Sequence, residues 1–280
     1  MSLPIFDQPF SFRLLSKLTR MIPPFPHASG VSNRIVKPLF CRWHRGERYR
    51  VEVWKGIEMI LDPADSVAGN LAFVPQLYDR WERAAVDKFL PPGGIFVDAG
   101  ANVGAYSLWA AKRVGRGGRV LAYEAEPSNF STLAENTRIN GFEDIITARH
   151  VGIADVAGML ALQLNDGGNS GGHSFLGGVQ RVDDGSIRVA CEPLSTLLDQ
   201  SGVDRVDFMK LDIEGFEQRV LARFFAEVPA GSSIRPRVIL TEMYFGDERD
   251  RPLLSTIEAA GYRLFEREGL NYLFLCPTGA

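Results

Sequence analysis

The stretch that decides the fold is Gly94-Ile95-Phe96-Val97-Asp98-Ala99-Gly100-Ala101-Asn102-Val103-Gly104. Ile95 to Val97 is a short apolar run of strand type, set off by Pro91, Pro92, Gly93 and Gly94. Ala105 to Arg113, rich in Ala and Leu, reads as a helix. A strand that turns at once into a helix through glycines is the first βα unit of a doubly wound α/β sheet. Ligands of such sheets bind at the carboxyl ends of the strands. Glycines here let the chain turn tightly and lie against a ligand with no Cβ in between.

The spacing narrows the ligand. The dinucleotide fingerprint is G-x-G-x-x-G, but Asn102 stands where its second glycine, the one that admits a pyrophosphate, should be. Asn102 therefore weighs against NAD and favours a nucleoside without a pyrophosphate. Asp98, at the strand tip, can accept a hydrogen bond from a cationic amine. A second apolar run, Arg119 to Tyr123, ends in Glu124, 20 residues past Gly104. An acid at that place can bind both ribose hydroxyls. Together these residues resemble class I S-adenosylmethionine (AdoMet)-dependent methyltransferases.

Longer motifs carry a narrower resemblance. Asp98-Ala-Gly-Ala-Asn-Val-Gly104, Glu124-Ala-Glu-Pro127, Asn169-Ser-Gly171 and Lys210-Leu-Asp-Ile-Glu-Gly-Phe-Glu217 are similar to those of the FkbM methyltransferases, over roughly residues 78 to 245. The resemblance implies a mostly parallel, seven-stranded, Rossmann-like sheet closed by a C-terminal antiparallel hairpin. It implies AdoMet as cofactor, held by Asp98, Gly100, Asn102, Gly104, Glu124 and Ala125. Gly152 and Ile153 fall near the adenine by fold analogy. It further implies O-methylation of a sugar or polyketide hydroxyl, so the expected partner is a small-molecule or glycan acceptor.

Composition sets the outer bounds. With 280 residues, 45% hydrophobic and 23% charged, the chain suits one α/β domain with an appendage. We divide it into an N-terminal extension, residues 1–75, and a methyltransferase domain, residues 76–280. No apolar run approaches the ~18 residues that span a bilayer. Cys41, Cys191 and Cys276 are odd in number and far apart, which points to a reducing cytoplasm and neither a disulfide framework nor a metal spacing. Residues 1–60 hold 10 Lys+Arg against 4 Asp+Glu, a net of +6, within a chain whose net charge is −3. That basic half can face a phosphate, a membrane or the acidic domain of its own or a sister chain, which leaves a homo-oligomer open. No basic cluster interleaved with aromatics points to nucleic acid.

Ahead of the motif, residues 1–9 read as an arm and Ser11 to Met21 as a short helix. Phe10, Leu14, Leu18 and Met21 share one face, and Arg13, Lys17 and Arg20 another. Such a helix either lies on an anionic membrane, as a peripheral contact through residues 10–21, or packs on its own protein. Pro23, Pro24 and Pro26 make a linker. Tyr49 to Trp54 and Ile57 to Leu61, joined at Lys55-Gly56, read as a hairpin, and Leu77 to Leu90 as a helix.

After the motif, Ser128 to Asn140 reads as a helix capped by Ser128 and ended by Gly141. Strands are expected over Ile145–Val151, Met159–Leu164, Arg188–Glu192, Val206–Leu211 and Arg237–Leu240. Short helices are expected over Leu194–Gln200, 216–225 and Leu253–Ala260, and the chain closes with Tyr262–Glu266 and Tyr272–Cys276. The glycine-rich run from Asn165 to Ser174 has the composition of a functional lid.

Methyl transfer from a sulfonium is an in-line displacement whose acceptor oxygen is held about 3–3.5 Å from the methyl carbon. A base that takes the hydroxyl proton helps but is not obligatory. Candidates are Asp212, Glu214, His173 in the lid, and Glu242. Asp212, at the tip of the strand beside the first, can also serve the cofactor's amine. Asp212, Glu214 and Glu242 can collect a hard divalent cation, but no ligand set has diagnostic spacing and no metal is expected. The alternatives are a nicotinamide-dependent oxidoreductase and a non-catalytic protein that keeps the fold.

Overall fold

The computed structural model describes residues 4–23, 36–42, 44, 46–163, 174–175, 186–243 and 251–276. In chain order the elements are β1 (Ile5–Phe6), α1 (Phe10–Thr19), α2 (Lys37–Cys41), β2 (Arg48–Trp54), β3 (Ile57–Leu61), α3 (Ser66–Phe73), α4 (Arg80–Phe89), β4 (Ile95–Ala99), α5 (Ala105–Val114), β5 (Arg119–Glu124), α6 (Pro127–Ile139) and β6 (Ile146–His150). Then follow β7 (Gly152–Ile153), β8 (Gly158–Gln163), β9 (Ser174–Phe175), β10 (Ser186–Glu192), α7 (Leu194–Ser201), β11 (Phe208–Leu211), α8 (Glu217–Glu227), β12 (Val238–Glu242), α9 (Arg251–Ala259), β13 (Arg263–Glu268) and β14 (Asn271–Leu275).

Seven strands form the central sheet in the order β13-β14-β12-β11-β4-β5-β6. The five from β12 to β6 run parallel, and β14 runs antiparallel between β12 and β13. This is the expected doubly wound α/β architecture with its C-terminal antiparallel hairpin. Ile95–Ala99 is buried along its whole length, as a parallel strand covered on both faces must be. Alternate residues feed opposite faces. Phe96 and Phe208 belong to one core, and Val97, Ala99, Met209 and Leu211 to the other. The edge strand β13 is exposed throughout and carries Arg263, Glu266, Arg267 and Glu268, charges that discourage further strands from adding.

The polar tip of the sheet follows from this alternation. Asp98 continues the stripe of Phe96, and Lys210 continues that of Phe208. The register pairs Lys210 directly with Asp98, so one face of the sheet turns from aromatic to charged at its carboxyl end.

Several boundaries differ from the sequence reading. Helix α6 is capped by Glu126, whose carboxylate accepts from Asn129 N, and not by Ser128; Pro127 fills the first helical position. Helix α4 begins at Arg80, because Asp79 is left-handed at φ 42°. The segment read as an arm forms β1, which pairs in parallel with Arg48 and Tyr49 of the hairpin. Strands β7, β10, β8 and β9 make a second, four-stranded sheet that the sequence did not announce.

The N-terminal elements are tied to the main sheet's helices. Asn136 Oδ1 accepts from Ile60 N at 2.6 Å, and Asn140 bonds both the N and the O of Glu58. Phe12, Phe40, Tyr49 and Phe73 pack ring on ring in the same core as Leu108 and Phe208. Among the described residues no helix is long and apolar enough to cross a membrane.

Candidate active site

At the carboxyl ends of β4, β5 and β11 lies an open cleft. The Gly100–Val103 loop, Glu124 and Ala125, Asn129, and Gly152 and Ile153 line it. So do Tyr78, Asp79, Tyr106, Lys210, Asp212 and Glu214. The cleft thus brings together Gly100, Asn102, Glu124, Ala125, Gly152, Ile153, Asp212 and Glu214 of the residues singled out in the sequence.

Buried carboxylates staple the backbone that shapes the cleft. Glu124 accepts from Asn102 N at 2.7 Å and from Glu126 N at 2.8 Å. Burial pushes its pKa up to about 7, against the pull of those two bonds. The first bond helps to hold Asn102 left-handed at φ 50°, a conformation that Asn tolerates. Glu217 repeats the device on the next loop, accepting from Ile213 N and Gly215 N, both at 2.9 Å. The final acid of the Asp212-Ile-Glu-Gly-Phe-Glu217 run is therefore a loop staple, while Asp212 and Glu214 face the cleft.

Two residues expected at the cofactor lie off the cleft wall. Asp98 does not line the cleft. It is fully buried, and its Oδ2 accepts from Ser107 Oγ at 2.6 Å. Burial raises its pKa to about 6, with neighbouring Lys210 pulling the other way. Gly104 does not line the cleft either. It caps α5 at φ 92°, where an added Cβ would lie 2.6 Å from Leu133 Cδ1. Gly100 does lie on the cleft wall, yet what forbids a side chain there is the protein itself: an added Cβ would lie 1.8 Å from the carbonyl oxygen of Asp212. Glu242, at the end of β12, is not on the wall. His173, and residues 165–173 of the glycine-rich run, lie outside the described residues.

Sequence reasoning missed a polar cluster around Tyr106. Lys210, buried in β11, donates to Asp212 Oδ2 at 2.8 Å and lies 4.7 Å from the Tyr106 ring. Burial opposes its charge, but Asp212 and Asp98 outweigh burial and raise its pKa. Asp79 Oδ2 accepts from Tyr106 OH at 2.8 Å. Burial raises the pKa of Asp79, and the Tyr106 bond and Lys210 act against the rise. A lysine inside a buried strand was the available signal for this cluster, since such a charge requires partners. Nothing in the pattern around Asp79 marked it off from the helix that follows.

The charged groups on the described walls are Asp79, Glu124, Asp212, Glu214 and Lys210. Among the described residues the cleft offers a pyrophosphate no cation that is not already paired. Among the described residues no group of three or more His, Cys, Asp or Glu is arranged to hold a metal ion. The three cysteines are free thiols.

Sheet order, glycine turn and cleft together define a class I methyltransferase. The model of the methyltransferase FkbM domain matches residues 98–264, more than half of the chain, and the chain belongs to that family. It is similar to the methyltransferase sdnD of Sordaria araneosa, with 28% identity over 58% of this chain and 77% of that one. Solved structures it resembles include a SAM-dependent O-methyltransferase of Thermotoga maritima, 13% identical over 71% of this chain and 64% of that one at a TM-score of 0.41. Another is the precorrin-6y C5,15-methyltransferase of Geobacter metallireducens, 15% identical over 71% and 88% at a TM-score of 0.41. Likenesses this slight carry no argument.

Proposed function

We propose that the chain is an O-methyltransferase that takes its methyl group from AdoMet and acts on a hydroxyl of a sugar, glycan or secondary metabolite. The observation that carries this reading is the charge of the cleft. Among the described residues its walls carry four acids and one cation, Lys210, already bonded to Asp212. Such a site favours a nucleoside that bears a cationic amine and a sulfonium over a dinucleotide.

The residues present fit that cofactor. Glu124 uses one lone pair of each oxygen on backbone N–H groups, which leaves acceptor capacity for two ribose hydroxyls. Gly152 and Ile153 offer backbone beside the space for the base. Asp212 and Asp79 face the amine and the acceptor. When bound, the cofactor supplies an electrophilic methyl group. The protein's share is to hold the acceptor oxygen in line with that methyl and to receive its proton. Asp212, bonded to Lys210, orients. Asp79 is the better proton acceptor, because burial strengthens a carboxylate as a base. Its hydrogen bonds from Tyr106 and Tyr78 fix the carboxylate at the cleft wall.

Calorimetric titration with S-adenosylhomocysteine, with NAD as the control, tests the cofactor. Micromolar binding of the first and none of the second is expected. Binding of NAD alone would overturn the reading.

A further inference from the structure

Helix α1 is turned the opposite way from an ordinary amphipathic surface helix. Phe12, Ser16 and Thr19 are buried, and Phe12 packs on Phe40, Tyr49 and Phe73. Ser16 Oγ donates to Ala72 O at 3.1 Å, and Arg20 Nη2 donates to Glu52 O at 2.7 Å. These contacts fix the rotation of the helix and turn Arg20 inward, away from the basic face expected for it. The apolar stripe Phe10, Leu14, Leu18 and Met21 is left outward, with exposures of 72%, 45%, 54% and 74%. Of the twelve large apolar side chains exposed among the described residues, seven lie within the first 39 residues. Arg13 and Lys17 are exposed beside the stripe.

We propose that this face docks on an anionic phospholipid surface, with Phe10, Leu14, Leu18 and Met21 entering the headgroup boundary and Arg13 and Lys17 meeting lipid phosphates. An apolar stripe edged by basic residues is the pattern of interfacial helices. The charge argues for this occupant. The first 60 residues carry a net of +6 in a chain whose net charge is −3, so a negative surface draws this end and repels the rest, which orients the molecule. A second copy packed through the same face would bring like charge against like. The helix is already folded and anchored through its other side, so docking requires little ordering. Helix α3 packs against α1 and contributes Val67 to the cleft wall, so the docking face lies one helix away from the candidate active site.

The test uses the full chain and sedimentation with two sets of vesicles, phosphatidylcholine alone and phosphatidylcholine with about one third phosphatidylserine. Tight pelleting with the anionic set and little with the neutral set is expected. R13Q/K17Q should weaken anionic-vesicle binding about 30-fold, from roughly a fivefold loss for each basic residue near the surface. F10S/L14S/L18S/M21S should abolish it, while both variants keep the circular dichroism and S-adenosylhomocysteine affinity of the wild type. Equal pelleting with both vesicle sets, or none with either, would overturn the proposal. So would a quadruple variant that still binds vesicles, or one whose change is a shift from dimer to monomer in sedimentation velocity.

Discussion

Substituting Gly100 by Ala tests the geometry of the cleft at its tightest point. The new Cβ would meet the Asp212 carbonyl oxygen at 1.8 Å, whereas carbon–oxygen contacts rarely close below about 3.3 Å. The tip of β11 would have to retreat by about 1.5 Å, and the bond from Asp212 N to Ala99 O, 3.0 Å long, would be lost. A left-handed Ala costs about 1–2 kcal/mol, the lost bond about 1 kcal/mol, and the crowding about 1–3 kcal/mol. We expect about 3–6 kcal/mol of lost stability in urea unfolding. Gly141→Ala is the control. Gly141 has φ 66° and nothing within 4 Å of an added Cβ, so its loss should stay near 1–2 kcal/mol. S-adenosylhomocysteine binding should fall in G100A and survive in G141A. Equal losses in the two variants would refute the close approach of the two strand tips, and with it the placement of Asp212 on the cleft wall.

Glu124→Ala should weaken S-adenosylhomocysteine binding by about 1–3 kcal/mol, the range for a lost charged acceptor; unchanged affinity in calorimetry would show that Glu124 does not hold the ribose. Asp79→Asn should lower kcat by about 10²–10⁴-fold on any hydroxylated acceptor that the wild type methylates, with cofactor affinity little changed; a retained kcat would remove Asp79 as the base. Glu82, bonded by Asn271, has its pKa raised by burial, and by Asp79, to about 7 from 4.5. A raised acid stabilises fully below its unfolded pKa, and that contribution is lost as pH rises through 7. Glu82→Gln should therefore leave stability near that of the wild type at pH 4–5 and raise it by about 1–3 kcal/mol at pH 8; a loss at pH 8 would contradict the burial.

The sequence disclosed the part of the site built on local chemistry. Gly100, Asn102 and Glu124 are legible because strand, glycine turn, helix and second strand follow one another without interruption. Their precise duties were not legible. Gly100 accommodates a carbonyl from a strand more than a hundred residues away, and Glu124 braces two amides before it meets any ligand. Asp79 was hidden because a left-handed aspartate ahead of a helix-forming run looks like a helical residue. Glu126 was hidden because Glu is an uncommon cap and Ser128 a common one. The second sheet escaped because β7 has two residues and becomes a strand only through its pairing with Cys191 and Glu192. The rotation of α1 is set by what Phe12, Ser16 and Thr19 touch, which no helical wheel contains.

The position of β4 bears on how the chain is made. Its partner on one side, β5, follows within about 25 residues, but its partner on the other side, β11, begins at Phe208. During synthesis the glycine turn therefore emerges with one edge of its strand open for more than a hundred residues, roughly 5–20 s at ordinary elongation rates. Lys210, Asp212 and Glu214 arrive only when that edge closes. The cleft is consequently incomplete until Glu214 has left the ribosome. Until then the nascent protein must rely on chaperones, or on α5 packed against β4, to protect an apolar strand edge.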